Sequence, residues 1–135
     1  MRGAEVFFDT SVLLYLLSAD PEKADRVETL LLRGGVVSVQ VLNEFAAVAL
    51  RKHALSTREV REFLGDLREF CRTEPLTLQS HELGLDIAER LGFQLFDSMI
   101  VASALESGCR TLYSEDLPHG QVIEKRLKVI NPLTK

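Results

Sequence analysis

Val6-Phe7-Phe8 stops on Asp9, and after Thr10 and Ser11 a second apolar run, Val12 to Leu17, begins at once. Consecutive hydrophobics without alternation suit a strand buried on both faces, as in a parallel sheet covered by helices. An acid followed by hydroxyl residues is how such a strand hands over to a helix N-terminus. The stretch therefore predicts a first parallel strand with Asp9 at its carboxyl end. That edge is where open α/β sheets hold their ligands, so what matters next is whether other acids reach it.

The remaining chain supplies the helices and strands this reading needs. Asp20-Pro21 predicts an N-cap followed by proline at the first helical position, with Ala24, Val27, Leu30 and Leu31 on one face and Gly34-Gly35 at the end. Val36 to Val39 is β-branched and reads as the second strand, followed by a helix over 41–53. Ser56-Thr57-Arg58-Glu59 is a capping box, and Val60, Phe63, Leu64, Leu67 and Phe70 follow at helical spacing. That apolar face can serve the core, a dimer or a partner protein. Pro75 is expected to stop this helix, Leu76-Thr77-Leu78 to form a third strand, and Ser80 to cap a helix with Leu83, Ile87 and Leu91 inward, ending at Gly92.

Asp97 then precedes Ser98 to Leu105, a run so apolar that its helix must be buried. After Gly108, a fourth strand over 110–113 leads into the polar loop Ser114 to Gly120. A short helix over 121–126 and a last strand over 128–130 close the chain. Strands alternating with helices imply right-handed βαβ units and a parallel sheet.

A chain of 135 residues fits one domain spanning 1–135. With 46% hydrophobic and 27% charged residues it can build a core and is not of disordered composition. No stretch approaches the roughly 20 apolar residues of a membrane span, and the first residues, Met1 to Glu5, lack the pattern of a signal peptide. A cytoplasmic protein with no membrane association is expected. Cys71 and Cys109 show no metal-binding or disulfide spacing and read as core thiols. A net charge of -4 argues against a broad basic nucleic-acid surface. A divalent cation held by clustered acids would reverse the local field.

Each acid alone has an ordinary explanation. Asp9 and Asp97 stand where N-caps belong, worth about 1 kcal/mol each over alanine; Glu44 suits a helix first turn, and Asp116 suits a turn. Their positions say more, because Asp9, Glu44 and Asp116 follow three strands that a parallel sheet sets side by side. A buried carboxylate such as Asp97 must be paired, protonated or metal-bound, and neither Asp9 nor Asp97 has a local Lys or Arg. Oxygen-only ligands suit Mg²⁺ or Mn²⁺ and hence phosphoryl chemistry. Ser11, Asn43 and Ser114 are placed to orient waters or carboxylates, or simply to make local caps and turns.

Phe8-Asp9-Thr10-Ser11, Asn43-Glu44, Phe96-Asp97 with its apolar helix, and Ser114-Glu115-Asp116-Leu117 stand in the order and approximate spacing of the PIN-domain family. The chain resembles most the small single-domain branch, the VapC-type ribonuclease toxins of toxin-antitoxin pairs. The resemblance implies a three-layer α/β/α fold with a central parallel sheet of four to five strands. It also implies an acidic metal-binding and catalytic set of Asp9, Glu44, Asp97 and Asp116, with Ser114 in the family's small-hydroxyl position. The implied protein is a Mg²⁺- or Mn²⁺-dependent endoribonuclease acting on RNA, commonly homodimeric, inhibited by an antitoxin docked on helices after the second strand. One departure is Leu117-Pro118-His119-Gly120, where many members have Phe after the last acidic motif. Glu115 adds a neighbouring acid there, so either Glu115 or Asp116 can be the fourth of the set.

Two readings from other classes fit the same length and alternation. A phosphoacceptor signalling domain would bind Mg²⁺ in an acidic pocket, but expects paired acids near the first strand and a late Lys, which Glu5 and Lys125 do not supply convincingly. An inactive PIN-like interaction module would use the acids as caps alone. Among other polar groups, His81 reads as solvated, and His119 as a loop residue first and a general base second. Arg51-Lys52-His53 suits either RNA phosphates or a helix C-terminus.

Overall fold

The computed structural model describes residues 5–133; the expectation drawn on the first residues therefore falls, for Met1 to Ala4, outside them. In chain order the elements are β1 (Val6–Phe8), α1 (Thr10–Leu13) running into a 3₁₀ turn (Leu14–Leu17), α2 (Pro21–Leu32), β2 (Gly35–Ser38), α3 (Val39–Lys52), α4 (Thr57–Phe70), β3 (Cys71–Glu74), α5 (Leu78–Leu91), α6 (Leu95–Glu106), β4 (Thr111–Tyr113), β5 (Val122–Ile123) and β6 (Leu127–Ile130). The sheet order is β3-β2-β1-β4-β6-β5. The first five of these strands are mutually parallel, as expected, and β5 adds an antiparallel edge on β6. Helices cover both faces, giving the three-layer α/β/α arrangement.

The central strand β1 shows why the opening stretch is so apolar. Phe7 and Phe8 point to opposite faces and both are fully buried, as are Val36, Val37 and Leu112 on the neighbouring strands. Gly35 lets β2 come close: a Cβ there would lie 2.7 Å from the Phe8 ring and 2.9 Å from the Val6 carbonyl oxygen. The helix signals also hold locally. Asp20 accepts the Glu22 and Lys23 amides with Pro21 next to it, Ser56 and Glu59 complete the capping box, and Gly92 ends α5 in the left-handed conformation. Cys71 and Cys109 are free buried thiols. No helix among the described residues is long and apolar enough to cross a membrane.

Four local expectations are corrected. The third strand is Cys71–Glu74, ahead of Pro75 rather than Leu76-Thr77-Leu78. It is the polar edge of the sheet, where Arg72 bridges Glu5 and Glu74 at 2.7 and 2.8 Å, so it shows no hydrophobic run. Thr77, not Ser80, caps α5; Ser80 is its partner three residues on, in a reciprocal capping box. Of the three residues expected inward on α5, Ile87 is fully buried, Leu83 packs partly against the core and Leu91 is exposed. The segment 121–126 is not a helix but the β5 strand and its turn into β6, with Glu124 and Lys125 at positive φ.

The topology also removes the phosphoacceptor alternative. Receiver-type sheets run 2-1-3-4-5, whereas here β1 lies between β2 and β4, with β3 beyond β2. Strand order reverses between β1 and β4, and ligands of open α/β sheets sit at that switch point, outside the carboxyl ends of the strands.

Candidate functional site

Asp9 occupies the switch point because the sheet itself holds its backbone there: its amide donates to the Tyr113 carbonyl at 2.9 Å, prolonging the β1–β4 pairing by one residue. It stands at the N-cap of α1 with extended backbone, yet its side chain caps nothing, contrary to the capping expectation. Its Oδ2 instead accepts the hydroxyls of Ser114 at 2.7 Å and Ser11 at 3.0 Å. Ser114 is fully buried, and its oxygen also accepts the Asp116 and Leu117 amides, so one hydroxyl ties Asp9 to the loop after β4.

Asp97 comes from the opposite side. Gln94 is the N-cap of α6, so Asp97 lies within the first turn rather than at the cap position expected for it. An acid there is favoured by the unpaired amides of the helix end. The apolar remainder of α6 is buried from Ile100 to Leu105, as its composition requires. Its placement depends on α5, where Gly84 leaves room for the Met99 thioether that any Cβ would overlap.

Oxygens of Asp9, Asp97 and Asp116 lie within 4.8 Å of one another. The three are graded in depth: Asp9 is 3% exposed, Asp97 half-buried and Asp116 exposed. Burial pushes the Asp9 carboxyl up to about 6, against the lowering effect of the two serine hydroxyls, with repulsion from Asp116 and Asp97 adding to the rise. Asp97 is raised by burial and then by Asp116 and Glu44; Asp116 is raised by burial and then by Glu115 and Glu44. None of the ion pairs among the described residues involves these three. Clustered hard oxygens, mutually repelling and lacking a cationic partner, are a donor set that fits a divalent cation such as Mg²⁺ or Mn²⁺.

Glu44 lines the same crevice, of about 690 Å³, without joining the trio. Both of its oxygens are engaged, Oε1 by the Thr10 hydroxyl and Oε2 by the Gln40 amide, each at 2.8 Å. Glu115 turns away to accept the Tyr15 hydroxyl, which raises that phenol to about 12. The geometry thus separates the adjacent acids, with Asp116 facing Asp9 and Asp97. Ser11 reaches Asp9 and donates nothing further; its oxygen also accepts the Glu115 amide at 3.0 Å. Asn43 is exposed and does not line the crevice. His119 accepts the Asn131 amide outside the crevice, and His81 is exposed.

Thr10, Gln40 and Tyr15 escaped the sequence reading. Each had a signal: Gln40 precedes Glu44 by one helical turn, Tyr15 follows Ser11 by one, and Thr10 adjoins Asp9. Arg51 and His53, read only as an ambiguous basic cluster, also line the crevice.

Comparison with known proteins agrees with this fold. The PIN domain family model matches residues 6–122. Among solved structures, a toxin-antitoxin complex from Klebsiella pneumoniae superposes with a TM-score of 0.71, covering 95% of this chain and 98% of that one at 18% identity. Mycobacterium tuberculosis VapC20, described as a sarcin-ricin loop cleaving toxin, gives 0.65 over 83% of this chain and 90% of its own at 19% identity. A DNA-bound VapBC complex from Salmonella typhimurium gives 0.68 over 93% and 98% at 16% identity. At such identities the likeness is one of fold. No curated protein sequence shows a significant match.

Proposed function

Because this chain belongs to the PIN-domain family, we propose that it is a metal-dependent endoribonuclease, the cytoplasmic toxin of a VapC-type toxin-antitoxin pair. The observation that carries the proposal is the convergence of Asp9, Asp97 and Asp116 at the sheet's switch point with no cationic partner among them. Its structural neighbours, two complexes described as toxin-antitoxin and VapBC and one sarcin-ricin loop cleaving toxin, with 90–98% of each matched chain covered, support an RNA-cleaving toxin with a cognate antitoxin. The homodimer rests on the family resemblance alone.

In this reading Asp9, Asp97 and Asp116 hold Mg²⁺ or Mn²⁺, and Glu44 completes the acidic set from the crevice wall. A divalent ion held by these carboxylates would lower the pKa of a water and offset charge on the phosphodiester. Ser114 and Ser11 keep the Asp9 oxygen aimed, as hydrogen-bond donors behind a metal ligand do. Thr10 and Gln40 fix the Glu44 carboxylate at the rim, where it can orient water toward the scissile phosphate. Burial of Asp9 excludes water from the inner side of the site, so interactions there are less screened.

The test is incubation of the purified chain with a panel of structured RNAs, with Mn²⁺ or with EDTA, beside an Asp97→Asn variant. Cleavage is expected with Mn²⁺ only, and only by the native sequence. Cleavage that survives EDTA, or an unchanged rate in the variant, sinks the assignment, and RNA left intact throughout favours the inactive interaction module.

A further inference from the structure

The acidic site occupies only one end of the crevice. Glu44, Ala47, Val48 and Arg51 all line it, an i, i+3, i+4, i+7 spacing that places them on one stripe of α3, and His53 follows at the helix end. From Glu44 to Arg51 is two helical turns, about 10 Å along the axis. The acids therefore lie at one end of the stripe and Arg51 at the other.

The charge arrangement gives Arg51 a task. Among the described lining residues there are five carboxylates, Asp9, Glu44, Asp97, Glu115 and Asp116, and Arg51 is the only Lys or Arg. None of the hydrogen bonds or ion pairs among the described residues occupies its guanidinium, which stands exposed. A helix C-terminus would accept a cation anyway. Lys52, next in sequence and also exposed, meets that need without lining the crevice. What Lys52 cannot do is face a strand passing over the acids.

We propose that Arg51 is the substrate-positioning residue of this crevice, holding an RNA phosphate neighbouring the scissile one through its planar, bidentate guanidinium. The inference rests on the nuclease reading and deepens it. Small Ala47 and partly buried Val48 leave a low apolar path between the two ends, so that single-stranded RNA lies along α3 with one phosphate at the acids and another at Arg51. Arginine suits this contact because its fork matches two phosphate oxygens.

The experiment is fluorescence anisotropy with a labelled, random-sequence single-stranded RNA at several salt concentrations, in Ca²⁺, which suits the same oxygen ligands while its looser geometry holds turnover down. The acidic set is left intact in every protein, and Arg51→Ala, Arg51→Lys and Lys52→Ala are compared with the native chain. Arg51→Ala is expected to raise Kd roughly tenfold at low salt, the loss of one charge-assisted contact. It should also reduce the slope of log K against log salt by about 0.7, one phosphate contact on a single strand. Arg51→Lys should keep that slope, and Lys52→Ala should stay within about twofold of the parent. The proposal is overturned if Arg51→Ala binds like its parent, or if Lys52→Ala, which removes the same charge, weakens binding equally. Failure of the nuclease reading shows separately, as RNA left uncut by the native chain in Mn²⁺.

Discussion

Replacing Asp9 by asparagine should stabilise the metal-free protein at neutral pH and abolish its stabilisation by metal. Burial and neighbouring carboxylates lift Asp9 from its ordinary value of 3.8 to about 6. The folded state therefore holds more protons than the unfolded state between about pH 4 and 6, and the metal-free protein loses stability as pH rises through that window. A rise of about 2 units corresponds to about 3 kcal/mol lost once the carboxylate is fully charged, near pH 7. Asparagine removes the charge but not the polarity. Both serine hydroxyls reach the same oxygen, Oδ2, which an amide oxygen can replace only as a weaker, neutral acceptor, so a net gain of about 1–2 kcal/mol is the expected outcome. In a domain of this size that is a melting-temperature rise of about 4–8 °C in EDTA at pH 7.5. In millimolar Mn²⁺ the order should invert, because an ion bound only by the folded native chain stabilises it in proportion to RT ln(1 + [L]/Kd). Differential scanning fluorimetry of both proteins, with EDTA and with Mn²⁺, reads all four values. An Asp9→Asn protein that melts below the native one in EDTA, or that gains as much from Mn²⁺, refutes the reasoning.

Other perturbations have equally direct outcomes. Ser114→Ala removes the buried hydroxyl that serves Asp9 and two backbone amides; it should cost about 1–3 kcal/mol in urea unfolding and weaken Mn²⁺ binding by about 10-fold or more in calorimetry. Asp116→Asn should cut RNA cleavage by at least about 100-fold in a gel assay, whereas Glu115→Gln, which keeps an acceptor oxygen for the Tyr15 hydroxyl, should leave it within a few-fold. Gly35→Ala should destabilise by about 2 kcal/mol or more, because its Cβ meets the Val6 backbone as well as the Phe8 ring. Gly65→Ala, inside α4 with nothing within 4 Å, should stabilise by up to about 1 kcal/mol in the same unfolding assay.

Buried elements declared themselves in the sequence because burial restricts composition. Phe7-Phe8, Val36-Val37 and the run after Asp97 are apolar since both sides of each are covered, and each lies where its pattern placed it. Edges obey no such restriction. β3 carries Arg72, Thr73 and Glu74, whose hydrogen bonds and ion pairs do what packing does elsewhere, and a charged edge also resists pairing with other sheets. Leu76 and Leu78 imitated a strand while being 46% and 75% exposed on either side of the true cap, Thr77. β5 is only two residues long and takes its register from β6, so no local periodicity could reveal it.

The candidate site divides along the same line. That Asp9, Asp97 and Asp116 converge follows from strand ends and one buried helix, both legible in the chain. The separation of Asp116 from Glu115 was not, because it depends on Tyr15, a hundred residues earlier, reaching across to donate its hydroxyl to Glu115. Likewise Glu44 was legible as an acid of the crevice, but its engagement by Thr10 arises only once α3 lies beside α1.

The most direct test of the account is an anomalous difference map from crystals of the native chain grown or soaked with Mn²⁺. A peak in contact with carboxylate oxygens of Asp9, Asp97 and Asp116, and absent from an Asp97→Asn crystal, is the predicted result. A map with no peak among those three side chains, in a crystal where they remain together, would contradict the claim that they form a metal site.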